Sequence, residues 1–335
     1  MAGRDDIRRI MRAKSAKHRA KGNALELAAL RGGVAVITGG ASGIGFALAQ
    51  RSIAEGMHVA LADIGGPEFL QPAEEQLRAA AAGSGLGVFG GTVDVTDEGS
   101  VRAFAVAVAK RFPGAPISLL CCNAGVVDDG KSVVFSNAEE WDRVLRPNLF
   151  GVMNCIRAFV PAMIEQDAPG AVCCTASLAA IQPGGGLYGV SKHGCLVLAE
   201  SLYSELRGRL SVHVLCPEIV RSGLNANLAG FNVLGMPPSR CVDHVFSAIQ
   251  TGQFYCFVDN EEDIGCVAES ARARADGMVA PWGSGRPRGH FTKFLGQVFT
   301  TKGETYKTTA EILRKGGKHT TADILNPTTG GKSKL

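Results

Sequence analysis

The stretch Val34-Ala-Val-Ile-Thr-Gly-Gly-Ala-Ser-Gly-Ile-Gly45 sets a short apolar run against a glycine cluster, and a helix-length segment from Ser42 to Glu55 grows out of it. A continuous apolar run of this length, closed by glycines, reads as a strand covered on both faces. Glycines at a strand-to-helix turn let the backbone adopt positive φ and approach an anion without obstruction by a Cβ. The helix that follows turns unpaired N–H groups and a partial positive charge toward the same point. Thr38, Gly39, Ser42, Gly43, Ile44 and Gly45 are therefore candidate contacts to a pyrophosphate. Many loops are rich in glycine. The position between a strand and a helix is what gives this one meaning.

Outward from this stretch the same alternation continues. Met57–Leu61, Gly87–Val93, Ile117–Cys121, Gly170–Cys174, Ser211–Leu215 and Phe254–Val258 are further strand-like runs, separated by helix-length segments. Short apolar strands alternating with helices predict a doubly wound parallel α/β sheet, a Rossmann-like single domain, with its ligand at the carboxyl ends of the strands. We place that domain at residues 31–270. A basic extension precedes it at 1–30, and a polar, basic one follows at 271–335.

The whole chain is compatible with that architecture. It has 335 residues, 46% hydrophobic and 20% charged, enough apolar material for one large core. A net charge of +4 does not point to nucleic acid. No run approaches the roughly 18 uninterrupted apolar residues of a membrane span. The ten cysteines carry no metal or disulfide spacing. They read as small core residues, with Cys216, at a strand end, the one position where a reactive thiol is considered. Arg4, Arg8, Arg9, Arg12, Lys14, Lys17, Arg19 and Lys21 crowd the N-terminus. Asp5 and Asp6 argue there against an organellar presequence and for a solvated basic helix.

Asp63 ends the second strand, 18 residues beyond Gly45. A carboxylate at that place accepts hydrogen bonds from adenosine ribose hydroxyls and repels a 2′-phosphate. Neither Ser42 nor Ile64 supplies a compensating cation, so NAD is favoured over NADP.

With the later motifs added, the chain resembles the short-chain dehydrogenase/reductase family over about residues 30 to 270. The matching pieces are Thr38 to Gly45, Asp94-Val95, Asn123-Ala-Gly125, Asn148, Ser177, Tyr188-Gly-Val-Ser-Lys192 and Cys216-Pro217. Tyr-x-x-x-Lys is weak alone; the set in this order and spacing is strong. Tyr188 and Lys192 fall one helical turn apart and share a face, and an ammonium beside a phenol favours the phenolate. The resemblance implies that Tyr188 gives or takes the proton of a carbonyl/hydroxyl pair. It implies that Ser177 hydrogen-bonds the substrate oxygen, that Lys192 also holds the nicotinamide ribose, and that Asn148 supports a water-linked proton relay. Asp94 and Val95 would meet the adenine, Asn123, Ala124 and Gly125 would flank the cofactor, and Pro217, Ile219 and Ser222 would line its nicotinamide end. Relatives commonly form homodimers or homotetramers, here through helices that would include Asn148–Gln166 and Tyr188–Arg209.

The chain departs from the family at one point. Where Pro-Gly and a nearby threonine are usual, it has Pro217-Glu-Ile-Val-Arg-Ser222. Serine keeps the hydrogen-bond donor, whereas Glu218 adds bulk and charge where glycine permits close approach. Residues 223–240, the substrate-loop position, contain no lysine or arginine before Arg240. An apolar ketone or secondary alcohol, lipid-derived, suits such a loop better than an anionic substrate.

The sequence closes on Ser333-Lys334-Leu335. That triplet is the peroxisomal address read by a soluble import receptor, and equal residue use would produce it at a terminus on the order of once in several thousand chains. The expectation is an NAD-dependent oxidoreductase of the peroxisome, with the cytoplasm as the alternative place. The competing reading is a non-catalytic subunit of the same fold that engages a partner through its basic ends. Glu218 and the extensions motivate it; Ser177, Tyr188, Lys192 and Asn148 oppose it.

Overall fold

The computed structural model of the chain describes residues 23–128, 133–182, 185–222 and 235–258, together with Ala271. The basic stretch 1–22, most of the loop 223–240 and the Ser-Lys-Leu ending lie outside these residues.

Seven strands alternate with helices as the sequence predicts. In chain order they are β1 (Val34–Thr38), α1 (Gly43–Ala54), β2 (His58–Asp63), α2 (Pro67–Ala80), β3 (Val88–Thr92) and α3 (Glu98–Arg111). Then come β4 (Ile117–Cys122), α4 (Ala138–Leu145), α5 (Gly151–Glu165), β5 (Ala171–Thr175), α6 (Gly186–Leu206), β6 (Ser211–Pro217), α7 (Pro238–Thr251) and β7 (Tyr255–Val258). The strands form one sheet in the order β3-β2-β1-β4-β5-β6-β7, every neighbouring pair parallel. From β1 the chain winds outward to β2 and β3, then returns to β4 on the other side. That reversal opens a crevice at the carboxyl ends of β1 and β4, where ligands of such sheets bind.

Each strand feeds two cores. Val34 and Val36 of β1, Leu120 and Cys122 of β4, and Val172 and Cys174 of β5 face Phe104, Phe159, Met163 and Leu202 of α3, α5 and α6. The alternate residues Ala35, Ile37, Leu119 and Cys121 face Leu48, Leu77, Phe246 and Ile249 of α1, α2 and α7. Both faces are covered, so these strands are apolar without a break.

Residues 23–30 pack on this domain as well. Leu27 and Leu30 are buried, and the Asn23 side chain pairs with the backbone of β6, donating to Val212 O at 2.7 Å and accepting from Val212 N at 2.8 Å.

Among the described residues, one helical run, Ala138–Glu165, is long and apolar enough to cross a membrane by composition alone. Its Asn148 and Asn154 are buried and hydrogen-bonded to the domain's own backbone, to Val126 and Val95. It is a core layer of this sheet.

Candidate active site

The crevice is stitched by two side chains from the motifs. Thr38, the last residue of β1, accepts at Oγ1 from the amides of Asn123 (2.9 Å) and Ala124 (3.1 Å). Asn123 returns a bond from Nδ2 to Thr38 O at 3.1 Å, and its Oδ1 accepts from Thr175 Oγ1 at 3.2 Å. The carboxyl ends of β1, β4 and β5 are thereby fixed to one another. No polar side chain of this set is left to find water in the crevice floor.

The glycine turn is built for close approach. Gly43 has φ +54°, a left-handed conformation that side chains disfavour, and a Cβ there would stand 2.8 Å from Ser222 Cβ. A Cβ on Gly45 would lie 2.0 Å from Gly39 O. Ser222 thus closes the loop after β6 onto the turn, and Ile44 packs on the α1-side core. Beside the turn, Asp63 accepts from Ala41 N at 3.0 Å and from Gly65 N at 3.2 Å, which holds its carboxylate against the glycine turn. A cradle that any Cβ would fill, at a helix N-terminus flanked by a carboxylate, fits a dinucleotide. Asp94 Oδ1 accepts from Thr96 N at 2.8 Å and shapes the loop after β3, while the buried Val95 is anchored through its carbonyl by Asn154 Nδ2 at 2.9 Å.

Beyond the turn, α6 carries Tyr188 and Lys192. Lys192 is 3% exposed; its Nζ donates to Thr175 O at 2.9 Å and lies 5.7 Å from the Tyr188 ring centroid. The ammonium therefore stands over the face of the phenol ring. Ser177 follows β5, accepts from Ala179 N at 3.2 Å and donates to Pro217 O at 3.4 Å. Ala179 in turn stands where a Cβ on Gly185 or Gly189, at the start of α6, would meet it at 3.3 Å. Ser177, Tyr188 and Lys192 therefore converge where β5, β6 and α6 meet, at the carboxyl end of the sheet.

Asn148 joins them from below. It sits in a π turn, Arg146–Phe150, between α4 and α5, where the Gly151 amide reaches back five residues to Arg146 O. Such turns interrupt a helix at functional sites. The fully buried Asn148 side chain accepts from Val126 N at 2.7 Å and donates to Val126 O and to Ser191 Oγ, each at 2.9 Å. A Cβ on Gly125 would meet Asn148 Oδ1 at 2.7 Å and Lys192 Nζ at 3.2 Å, so glycine is what lets these two groups share the space.

Motif reading missed Ser191, Val126 and Thr175, which hold Asn148 and Lys192. Ser191 lies inside Tyr-x-x-x-Lys, Val126 directly follows Asn123-Ala-Gly125, and Thr175 stands two residues before Ser177. The π turn has no recognised signal. Glu218 donates its amide to Val258 O at 2.9 Å, extending the β6–β7 ladder by one residue, and one carboxylate oxygen is shielded from solvent. Ile219 O accepts from Met236 N at 2.9 Å, which fixes the loop on which Ser222 stands. Cys216 is fully buried, and burial pushes its thiol well above the ordinary range. It is an inert core residue, and the reactive thiol considered for it is ruled out. Among the described residues all nine cysteines are free and buried.

The short chain dehydrogenase family profile matches residues 33–231. The chain belongs to the short-chain dehydrogenase family. It is 34% identical over 238 residues to 1-deoxy-11-beta-hydroxypentalenate dehydrogenase of Streptomyces avermitilis, covering 69% of this chain and 86% of that one. It is 29% identical over 197 residues to a 3-oxoacyl-(acyl-carrier-protein) reductase of Staphylococcus aureus, covering 58% of this chain and 77% of the relative. A short-chain dehydrogenase/reductase from Burkholderia phymatum, solved in complex with NAD, superposes with a TM-score of 0.68 at 28% identity, over 77% of this chain and 98% of that one. This short-chain dehydrogenase thus shares its fold with the Burkholderia phymatum protein.

Proposed function

We propose that this short-chain dehydrogenase transfers a hydride between NAD(H) and an apolar secondary alcohol or ketone, with Tyr188 as acid/base. The observation that carries the reading is the meeting of Ser177, Tyr188 and Lys192 at the carboxyl end of the sheet, beside a glycine turn shaped for a dinucleotide. The turn at Gly39–Gly45 would hold the pyrophosphate, Asp63 the adenosine ribose, and the loop from Pro217 to Ser222 the nicotinamide end. When bound, the nicotinamide ring supplies the hydride donor or acceptor.

The chain's own residues do the rest. The Tyr188 hydroxyl gives a proton to the substrate oxygen on reduction and takes it on oxidation. Ser177 Oγ–H turns from Pro217 O to the same oxygen as charge develops there. Lys192 uses one N–H on Thr175 O, which leaves two for ribose hydroxyls and keeps its charge beside the ring. The Asn148 side chain is already engaged with Val126 and Ser191. Its contribution to a water-linked relay then falls to its main-chain carbonyl in the π turn.

The Asp63 carboxylate beside the turn would repel a 2′-phosphate, which supports NAD, as does the NAD bound in the Burkholderia phymatum relative. Exposed Val133, Val134 and Phe135 in the connection between β4 and α4 are apolar surface that supports an apolar substrate. Exposed Phe150, Val190 and Val197 on the π turn and α6 support self-association through α5 and α6. The Ser333-Lys-Leu335 ending supports peroxisomal import. A fluorescent fusion carrying it is expected in peroxisomes, and a diffuse signal would remove that assignment.

Initial rates on a panel of secondary alcohols, with NAD and with NADP, test the function. NAD-linked oxidation of apolar alcohols is expected, at least about tenfold faster than with NADP. Turnover of carboxylate- or phosphate-bearing substrates alone, or a preference for NADP, would overturn it. The scaffold reading draws on Glu218 at the end of β6 and on the basic extensions, and absence of cofactor binding would favour it.

A further inference from the structure

Helix α6 begins on glycine. Gly185 is its N-cap and makes no side-chain cap, Gly186 has φ +58°, and residue 184 is a third glycine. The first amides of a helix have no partner within it, and this sequence offers no Ser, Thr, Asn or Asp to receive them. Three consecutive glycines are also the least constraining backbone from which to aim Tyr188, two residues further on.

The missing acceptor comes from another part of the chain. The Tyr188 amide donates to Asp128 Oδ2 at 3.0 Å. Asp128 lies 60 residues earlier, in the loop that leaves β4 after Asn123-Ala-Gly125. That loop is anchored on its own account, since Val126 is gripped at both N–H and C=O by Asn148. Asn148 holds Ser191 Oγ, and Ser191 donates to Tyr188 O at 2.7 Å. The circuit closes. Both backbone polar groups of Tyr188 are tied, the carbonyl through Ser191 and the amide through Asp128. A carboxylate at a helix N-terminus also complements the partial positive charge there, and a bond to an ionised acceptor is stronger than one to a neutral group.

We propose that Asp128 is a positioning residue for Tyr188: its carboxylate caps α6 from the β4–α4 loop and fixes where the acid/base side chain points. Asp128 belongs to none of the family motifs found in this chain. The proposal rests on the reading of Tyr188 as acid/base, and its test is arranged so that the two fail separately.

Asp128→Ala and Asp128→Asn are compared with the unaltered full chain in steady-state kinetics, NADH binding and amide hydrogen exchange over residues 186–192. In the alanine variant kcat is expected to fall about tenfold, the effect of losing a charge-assisted bond, while KM for NAD and NADH binding stay within about twofold. Asparagine keeps an acceptor oxygen and is expected to recover most of the loss. The Tyr188 amide is expected to lose protection in Asp128→Ala and to keep it in Asp128→Asn. An alanine variant with unaltered kcat and unaltered exchange, or an asparagine variant as impaired as alanine, would overturn the proposal. If the unaltered chain turns over no alcohol, the proposed function fails, and the exchange comparison alone decides whether Asp128 holds Tyr188.

Discussion

At Gly45 a single methyl group would bring a carbon to 2.0 Å from the Gly39 carbonyl oxygen, closer than any packing tolerates. The contact is with backbone, so relief requires the turn to open. Forced overpacking costs about 1–3 kcal/mol, and here the strain falls on the segment that would cradle the pyrophosphate. Gly45→Ala is therefore expected to weaken NADH binding at least about tenfold with the fold retained by circular dichroism; unchanged affinity would mean the turn does not hold the dinucleotide. At this scale the sequence showed residue types at fixed spacing and little else. Tyr188 and Lys192 were legible because one helical turn separates them. Asp128, Val126 and Thr175 were not, because their roles are contacts across 17 to 60 residues of chain, and no local pattern encodes a partner that distant.

Strands and helices were the most legible level. β1 to β7 fall within about two residues of the apolar runs, since a strand covered on both faces is apolar throughout. Two features escaped. The π turn at Arg146–Phe150 carries Asn148, whose partner Val126 is 22 residues away in the chain, and residues 23–30 are tied to β6 through Asn23, 189 residues from its partner Val212.

The same strand β6 hides a titratable group. His213 is fully buried, with Nδ1 2.7 Å from Gln253 O and Nε2 2.6 Å from Ser211 Oγ. Burial lowers its pKa from the ordinary 6.5 to about 4, so the folded chain keeps it neutral. The unfolded chain takes up a proton as pH drops through 6.5, whereas the folded chain does so only near 4. The stability tied to His213 is full above that window and lost as pH falls through it, with a slope of at most about 1.4 kcal/mol per pH unit. Denaturant unfolding at pH 7 and pH 5 should therefore show a smaller loss in His213→Gln than in the unaltered chain. Equal losses would show that His213 does not titrate on unfolding.

For the whole molecule, the alternation of strands and helices gave a doubly wound sheet, but not the strand order. The order β3-β2-β1-β4-β5-β6-β7 follows from right-handed crossovers that reverse direction once, at β1. That reversal brings residues from five separate segments to one crevice: the turn after β1, Asp63, Asn123–Gly125, Ser177 and the start of α6. The architecture also explains why the site tolerates so much polar density. Asn148, Ser191 and Lys192 are each at most 3% exposed, and each is hydrogen-bonded within the domain, which is the condition for burying polar groups without loss of stability.

The central claim is that Tyr188 exchanges a proton with the substrate oxygen while the surrounding turn holds NAD(H). Tyr188→Phe removes one hydroxyl and leaves the ring beside Lys192 in place. NADH binding and NAD-linked oxidation of a secondary alcohol, measured side by side on this variant and the unaltered chain, test it most directly. Cofactor affinity should be unchanged while kcat falls by at least about a hundredfold, the usual contribution of a positioned acid/base. Oxidation by the variant at a rate close to that of the unaltered chain would contradict the assignment.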